Sequence, residues 1–431
     1  MRYAIVSKSM AIAEAKAAAI KVGAKDIREA KLINQIFCEL TDEQVERLSK
    51  VQGISVKSLK SFRPDVIAIP EMPTGIELRQ VMAVAPQTEV NEIWKVFETI
   101  RSVFVPPITG QGLTVAILDT GIRKTHESLM DKVVYEENFS SSPDASDVFG
   151  HGTQVAFVVA GGENGSGIVG VSPGASLMNI KVINNEGIAT EEEVVLGIEK
   201  VCSLVQDAYR DGLSPTAPMY PNVINLSLGA EDDGDEDSPM RAACRVAVEE
   251  YGLDVIASAG NSGPDMTTIT SPGTEPKVIT VGAIETVSQI SIWEQSSRGP
   301  TKRGDVKPDF VFWGMNIEAA DNRNDNDYLI KSGTSFSCPM LSGLTGLLWE
   351  TGRRVYGESW LFKWAEAREL APYYCMKPEE AAVRKDNTYG YGLPAVGTLV
   401  GRIAQAPSSI EGIITPMILM MMVMSMMRVI I

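Results

Sequence analysis

The chain has 431 residues, of which 44% are hydrophobic and 22% charged, and a formal charge of −16 at neutral pH. That length leaves room for two or three domains, and the composition is that of a globular protein rather than a disordered or fibrous one. The acidic balance argues against the basic stripes that nucleic-acid binders carry, so no nucleic-acid partner is expected. The five cysteines are scattered without a CxxC pair, which speaks against a zinc site or a disulfide framework.

In chain order, residues 1–65 read as a small α/β unit. "RYAIVSK" is a predicted strand, and "MAIAEAKAAAIKVG" an alanine-rich helix closed by Gly23. "LINQIFCEL" follows as an alternating strand. Thr41 and Gln44 then form a capping box for a helix ending at Gly53, and "ISVKSLKS" closes the unit. This alternation suggests a ferredoxin-like βαββαβ module. Residues 66–110 carry prolines and no sustained period, as a linker does.

From Leu113 the text becomes apolar strand alternating with helix: "LTVAILDTG", "SLMNIKVI", "NVINLSLG", "LDVIASAGN" and "KVITVGA". Near-continuous apolar strands are what a parallel sheet covered on both faces requires. The tracts "EDDGDED" (231–237) and "DNRNDND" (321–327) read as a solvated loop and a hairpin tip. Ser238 and Pro239 start a helix directly after the first tract. "GSGIVG" (165–170) satisfies GxGxxG, but it follows a helix and precedes a strand, the reverse of a dinucleotide site.

Three residues stand out chemically. Ser335, in "KSGTSFSCPMLSG", is crowded only by small residues at the mouth of a helix, where its hydroxyl is expected to be exposed. The chain has two histidines, His126 and His151, and His151 enters a helix between glycines in "FGHGTQVAFVV". Asp119 is the last residue of an apolar strand, where an acid is costly unless paired, and functional crevices in open α/β sheets lie off such strand ends.

The order Asp119, His151, Ser335 and the motifs "DTGI", "HGT" and "GTSFSCP" resemble the subtilisin-like serine peptidases, whose chain order is the same. "GIVGVSPGASLMNIKVI", "ASAGNSG", "SSRGP", "KPDF" and "YGYGLPAVG" extend the resemblance over roughly residues 110–400. It implies an α/β fold with a parallel-sheet catalytic domain over residues 111–402, and residues 66–110 holding the start of the mature enzyme. It also implies serine endopeptidase activity on polypeptides. Ser335 would be the nucleophile, His151 the base, Asp119 its orienting partner, and Asn261 the oxyanion donor. Ser227, Leu228 and Gly229 would pair with an extended substrate by β-augmentation. Residues 1–65 resemble the inhibitor-type propeptides of the family, which pack on the protease and send their C-terminal strand into the active site, implying a self-processed proenzyme cut between about residues 65 and 90.

The sequence departs from the family pattern at Gln154 and Phe157 after "HGT", at Phe312–Gly314 after "KPDF", and at Cys338 beside the nucleophile. These raise the question of pocket shape and thiol sensitivity. No cofactor is required for the chemistry. The family can hold structural calcium near Asn164, but Ser128 stands where an acidic ligand is expected, so no clear site is supported. "MRYAIVSKSMAIAEAK" lacks a secretory apolar run, which gives a cytoplasmic expectation. The Met-rich residues 410–431 form an apolar tail without a charge over 413–427. It is short of the roughly 20 residues a spanning helix needs, yet apolar enough to attach to a membrane or a partner.

Overall fold

The computed structural model describes residues 1–7, 10–65, 87–102, 105–165, 167–285, 290–382 and 384–395. The apolar tail at 410–431 lies outside the described residues.

The N-terminal unit contains β1 (Arg2–Ser7), α1 (Ile12–Val22), β2 (Lys25–Ala30), β3 (Gln35–Glu39), α2 (Asp42–Ser49) and β4 (Ile54–Ser58). Its antiparallel sheet has the order β2-β3-β1-β4. α1 stops where Gly23 takes a left-handed φ of 84° and returns its N–H to the Ala19 and Ile20 carbonyls. Thr41 and Gln44 cap α2 reciprocally. Ala15 and Ala19 pack with Ile5, Ile36 and Leu48 to make a small core of their own. The strand β2 is not evident in the sequence because it is a charged edge strand with largely exposed side chains.

The chain continues through β5 (Ser61–Pro64) and α3 (Gln87–Arg101) into β6 (Thr114–Asp119), β7 (Val133–Asn138), α4 (His151–Ala160), β8 (Ser176–Lys181) and β9 (Ala189–Thr190). Next come α5 (Glu191–Arg210), β10 (Val223–Leu226), β11 (Leu228–Gly229), α6 (Pro239–Glu249), β12 (Asp254–Ser258) and β13 (Ile279–Ile284). β14 (Phe310–Trp313), β15 (Ile317–Ala320), β16 (Tyr328–Lys331) and α7 (Thr334–Tyr356) follow. The main sheet has seven strands in the order β14-β13-β12-β10-β6-β8-β7, all parallel.

Alternate residues of these strands serve two cores, as the period of two requires. Val115 and Ile117 face α3, α4 and α7, whereas Ala116 and Leu118 face α5 and α6. Both faces are therefore covered, which explains the near-continuous apolar strands.

Within the stretch read as a linker, residues 87–101 form a helix. Ile93, Trp94, Phe97 and Ile100 are buried along one helical stripe and join the core of the parallel-sheet domain. Three of the residues that depart from the family pattern make its seat. Trp94 meets Phe157 edge-on at 5.9 Å, and Phe97 stacks on Phe312 at 6.2 Å and meets Trp313 at 5.9 Å. Phe157, Phe312 and Trp313 thus answer a packing demand rather than shape a substrate pocket.

The acidic tract 231–237 is more than a solvated loop. Lys60 pairs with Asp233 at 3.0 Å and Lys57 with Asp235, so the tract grips the end of the N-terminal unit. On its other side Arg2 donates to Glu192 and the Lys31 N–H to Glu199. The tract 321–327 connects β15 to β16 and lies over the approach to α4. There Asn322 donates to the carbonyls of Asp147 and Val148, both at 3.0 Å.

Candidate active site

Because the central strands run parallel, their carboxyl ends gather along one edge, and the candidate residues gather with them. Asp119 ends β6, the segment Ser227–Gly229 follows β10, and Asn261 lies three residues past β12. His151 and Ser335 occupy the first turns of α4 and α7.

The buried Asp119 Oδ1 lies 2.7 Å from His151 Nδ1 and also accepts the Thr120 N–H at 2.7 Å. The glycines around His151 are steric necessities. Gly150 adopts φ of 100°, and a Cβ on Gly152 would stand 2.1 Å from the Gly121 carbonyl. The hydroxyl of Thr120 is held between Asp147 and the Gly152 N–H, at 2.9 and 2.8 Å. Asp147 also accepts the Gly150 N–H, the Thr153 N–H and the Thr153 hydroxyl. Burial pushes its carboxyl above the ordinary carboxylate range against these donors. Asp147 was not singled out in the sequence; its only signal is its place four residues before His151.

The other histidine, His126, is buried, packs edge-on against Tyr328 at 5.1 Å and bonds the Asp327 carbonyl at 3.0 Å. It belongs to the support of the β15–β16 hairpin.

Ser335, read from the sequence as an exposed hydroxyl, is fully buried. What covers it is the end of the N-terminal unit. Its Oγ lies 2.5 Å from the Asp65 carbonyl oxygen and 3.1 Å from the Ser227 carbonyl. Asn261 Nδ2 donates to the same Asp65 oxygen at 2.5 Å, while Asn261 Oδ1 accepts from Thr334 N–H and Oγ1 at 3.0 and 2.9 Å. His151 Nε2 is buried and makes no hydrogen bond among the described residues. A nucleophile–base hydrogen bond is often long outside the reacting complex, so the Ser335–Asp65 contact does not count against the pair.

Ser227, Leu228 and Gly229 form the edge that receives this strand. β5 runs antiparallel between β11 and β9, pairing Leu228 with Pro64, Gly229 with Arg63 and Ala189 with Phe62. The Asp65 N–H continues the ladder to the Ser227 carbonyl at 3.2 Å. Phe62 is fully buried among Ala189, Leu228 and the residues around them. The resemblance implied that the C-terminal strand of such a propeptide enters the active site; the residues that do so, β5 and Asp65, were not singled out in the sequence.

Near Asn164, where the family can hold calcium, the loop is closed by side-chain to main-chain bonds. Asn164 turns its amide N–H groups toward Ser128 Oγ, Gly162 O and Ile168 O, at 2.8, 3.1 and 2.9 Å. Among the described residues no group of three His, Cys, Asp or Glu side chains is placed to hold a metal ion. Cys338 is buried, with its Sγ 3.3 Å from Asn225 Oδ1 and 3.4 Å from the Ile256 carbonyl.

A strand held against a serine, an asparagine donor and an Asp–His pair at the carboxyl edge of a parallel sheet defines a class, that of the serine hydrolases. Residues 110–392 match the profile of the Subtilase family, and the chain belongs to that family. It is 33% identical over 264 residues to serine protease AprX of Bacillus subtilis, a match covering 56% of this chain and 58% of that protein. To subtilisin DY of Bacillus licheniformis it is 32% identical, over 56% of this chain and 77% of that protein. An intracellular serine protease of Paenibacillus polymyxa is 30% identical, over 64% and 79% respectively. The match thus spans less than two thirds of AprX.

Proposed function

We propose that this protein is a serine endopeptidase, made as a proenzyme that cuts itself between Asp65 and Val66. The observation that carries this reading is the Asp65 carbonyl oxygen, 2.5 Å from both Ser335 Oγ and Asn261 Nδ2. Ser335 Oγ attacks the Asp65 carbonyl carbon and gives its proton to His151 Nε2, the ring being held by Asp119 through Nδ1. Asn261 and the Ser335 main-chain N–H receive the negative charge that develops on the carbonyl oxygen. Collapse breaks the bond to the Val66 nitrogen, which takes the proton from His151. Water then enters by the same base and releases the Asp65 carboxylate, regenerating Ser335.

Polypeptide substrates take the place of β5 between β9 and β11, by main-chain pairing. Until residues 1–65 leave, they act as the enzyme's own inhibitor. α3 stays with the catalytic domain, since its apolar stripe is part of that core. Mass spectrometry of the purified protein tests the reading. A new N-terminus at Val66 supports it, and a chain that digests casein while intact from Met1 contradicts the self-processing.

We also propose that the protein works in the cytoplasm, a reading supported by five unpaired cysteines. Among the described residues no helix is long and apolar enough to cross a membrane. We propose that residues 410–431 attach the protein to a membrane surface, supported by the charge-free run 413–427. Fractionation beside a protein ending at Ser409 tests this, and two equally soluble forms would contradict it.

A further inference from the structure

The Asp65 side chain enters a short pocket between the Ser227–Gly229 edge and the segment Ser258–Asn261. Its Oδ2 accepts the Ser258 hydroxyl at 2.6 Å, and Thr270 stands beside the same carboxyl with its own hydroxyl donating to the Ala259 carbonyl at 3.3 Å. Thr270 is fixed by its N–H to the Ala259 carbonyl at 3.0 Å. Directly behind it Ser271 exchanges both backbone hydrogen bonds with Ala230, at 2.9 and 3.0 Å, and so laces the two walls together. Each wall has one glycine facing Thr270. A Cβ on Gly229 would stand 3.0 Å from Asp65 Oδ1 and 2.4 Å from Thr270 Oγ1, and one on Gly260 would stand 2.8 Å from Thr270 Cγ2. There is room for a carboxyl between hydroxyls, and the Thr270 side chain stands where a longer group has to go.

We propose that this pocket selects substrates with aspartate, or its amide isostere asparagine, immediately before the scissile bond. Thr270 sets the depth and Ser258 receives the polar end. The proposal rests on the peptidase reading above and names the substrate class of that site. Two physical arguments carry it. A phenylalanine or leucine at this position has to displace Thr270 from a backbone-laced corner. It also leaves the buried Ser258 hydroxyl only its longer 3.4 Å bond to the Leu226 carbonyl in place of the 2.6 Å bond to a carboxyl, and sites built to hydrogen-bond a group discriminate against analogues that lack it.

The test uses the self-processed protein on peptides Phe-Arg-Pro-X-Val-Ile, with X as Asp, Asn, Glu, Leu, Phe or Lys. Asp and Asn are expected to exceed Phe and Leu by at least about tenfold in kcat/KM, the scale of a lost buried partner. Thr270→Gly should move the Phe/Asp ratio toward Phe by a similar factor, and Ser258→Ala should lower Asp and Asn relative to Leu. In the full chain, D65N should process at the 65–66 bond and D65F should process more slowly, a readout independent of how the pocket variants fold. Wild-type preference for Phe or Leu, or equal processing of D65N and D65F, overturns the pocket assignment while leaving the peptidase standing. Failure to cleave any of these peptides or casein overturns both.

Discussion

The main-chain oxygen of Asp65 lies 2.5 Å from the hydroxyl of Ser335, although 270 residues separate them in the chain. The N-terminal unit therefore ends at the hydroxyl of Ser335, the proposed nucleophile, and the first consequence concerns the bond after Asp65. Ser335→Ala should leave the full-length chain uncut and remove peptidase activity. Without the nucleophile, catalysis falls by several orders of magnitude, to a remnant roughly 10³–10⁴-fold above water. Intact mass and N-terminal sequencing of the variant beside wild type check this, and a Val66 terminus in the variant would contradict it.

Asn261 meets the same carbonyl oxygen from the other side, at 2.5 Å. Asn261→Ala should lower kcat by about 10²–10³-fold, or about 2.7–4 kcal/mol, a figure that comes from the oxyanion asparagine of subtilisin itself. KM should change far less, because the strand is held by main-chain pairing to β9 and β11. Steady-state kinetics on one peptide separate the two effects.

Burial lifts the Asp65 carboxyl to about 6 in its pocket, opposed by the Ser258 hydroxyl, His151 and Thr270 and reinforced by Asp119. The seated strand then holds a proton that the free strand has lost. Seating is strongest below the free carboxyl's pKa of 3.8, weakens as pH rises from there to about 6, and levels off above. The span corresponds to roughly a hundredfold in affinity. Competition by acetyl-Phe-Arg-Pro-Asp-amide against its Asn counterpart cancels other titrations. The Asp/Asn affinity ratio should fall between pH 4 and 6 and then flatten. A constant ratio would contradict the burial of a charge here.

Phe97 fills the joint between α3 and the aromatic pair Phe312 and Trp313. Phe97→Ala should destabilise the catalytic domain by about 3–5 kcal/mol, the range for emptying a buried aromatic site. Thermal unfolding of the processed enzyme checks this. A change under about 1 kcal/mol would mean that residues 87–101 are not part of its core.

Cys338 stands three residues from Ser335, yet it is buried and burial holds its thiol well above the ordinary range. The native enzyme should keep its activity under a water-soluble thiol reagent, since the thiolate is the reactive form. Four of the five cysteines are buried, and only Cys375 is half-buried. At most one thiol should titrate natively and five after denaturation. Rapid inactivation would contradict the packing at Cys338.

What could be read from the sequence was whatever is decided locally. Asp119 ends an apolar strand, His151 and Ser335 open helices, and the glycines beside them answer steric demands that act over one or two residues. The parallel sheet was legible because strands buried on two faces must be apolar throughout. The long-range pairings were not. β5 offers four residues with no period to detect, and its place between β9 and β11 depends on edges more than 120 residues away in the chain. The stripe of α3 was hidden among flanking prolines. Its partners Phe157, Phe312 and Trp313 looked like departures until Trp94 and Phe97 were found against them. Ser335 was expected to be exposed and is buried, because a carbonyl 270 residues earlier in the chain lies over it. Motifs report the local backbone and side-chain chemistry; which segment fills the cleft is settled only when distant surfaces meet.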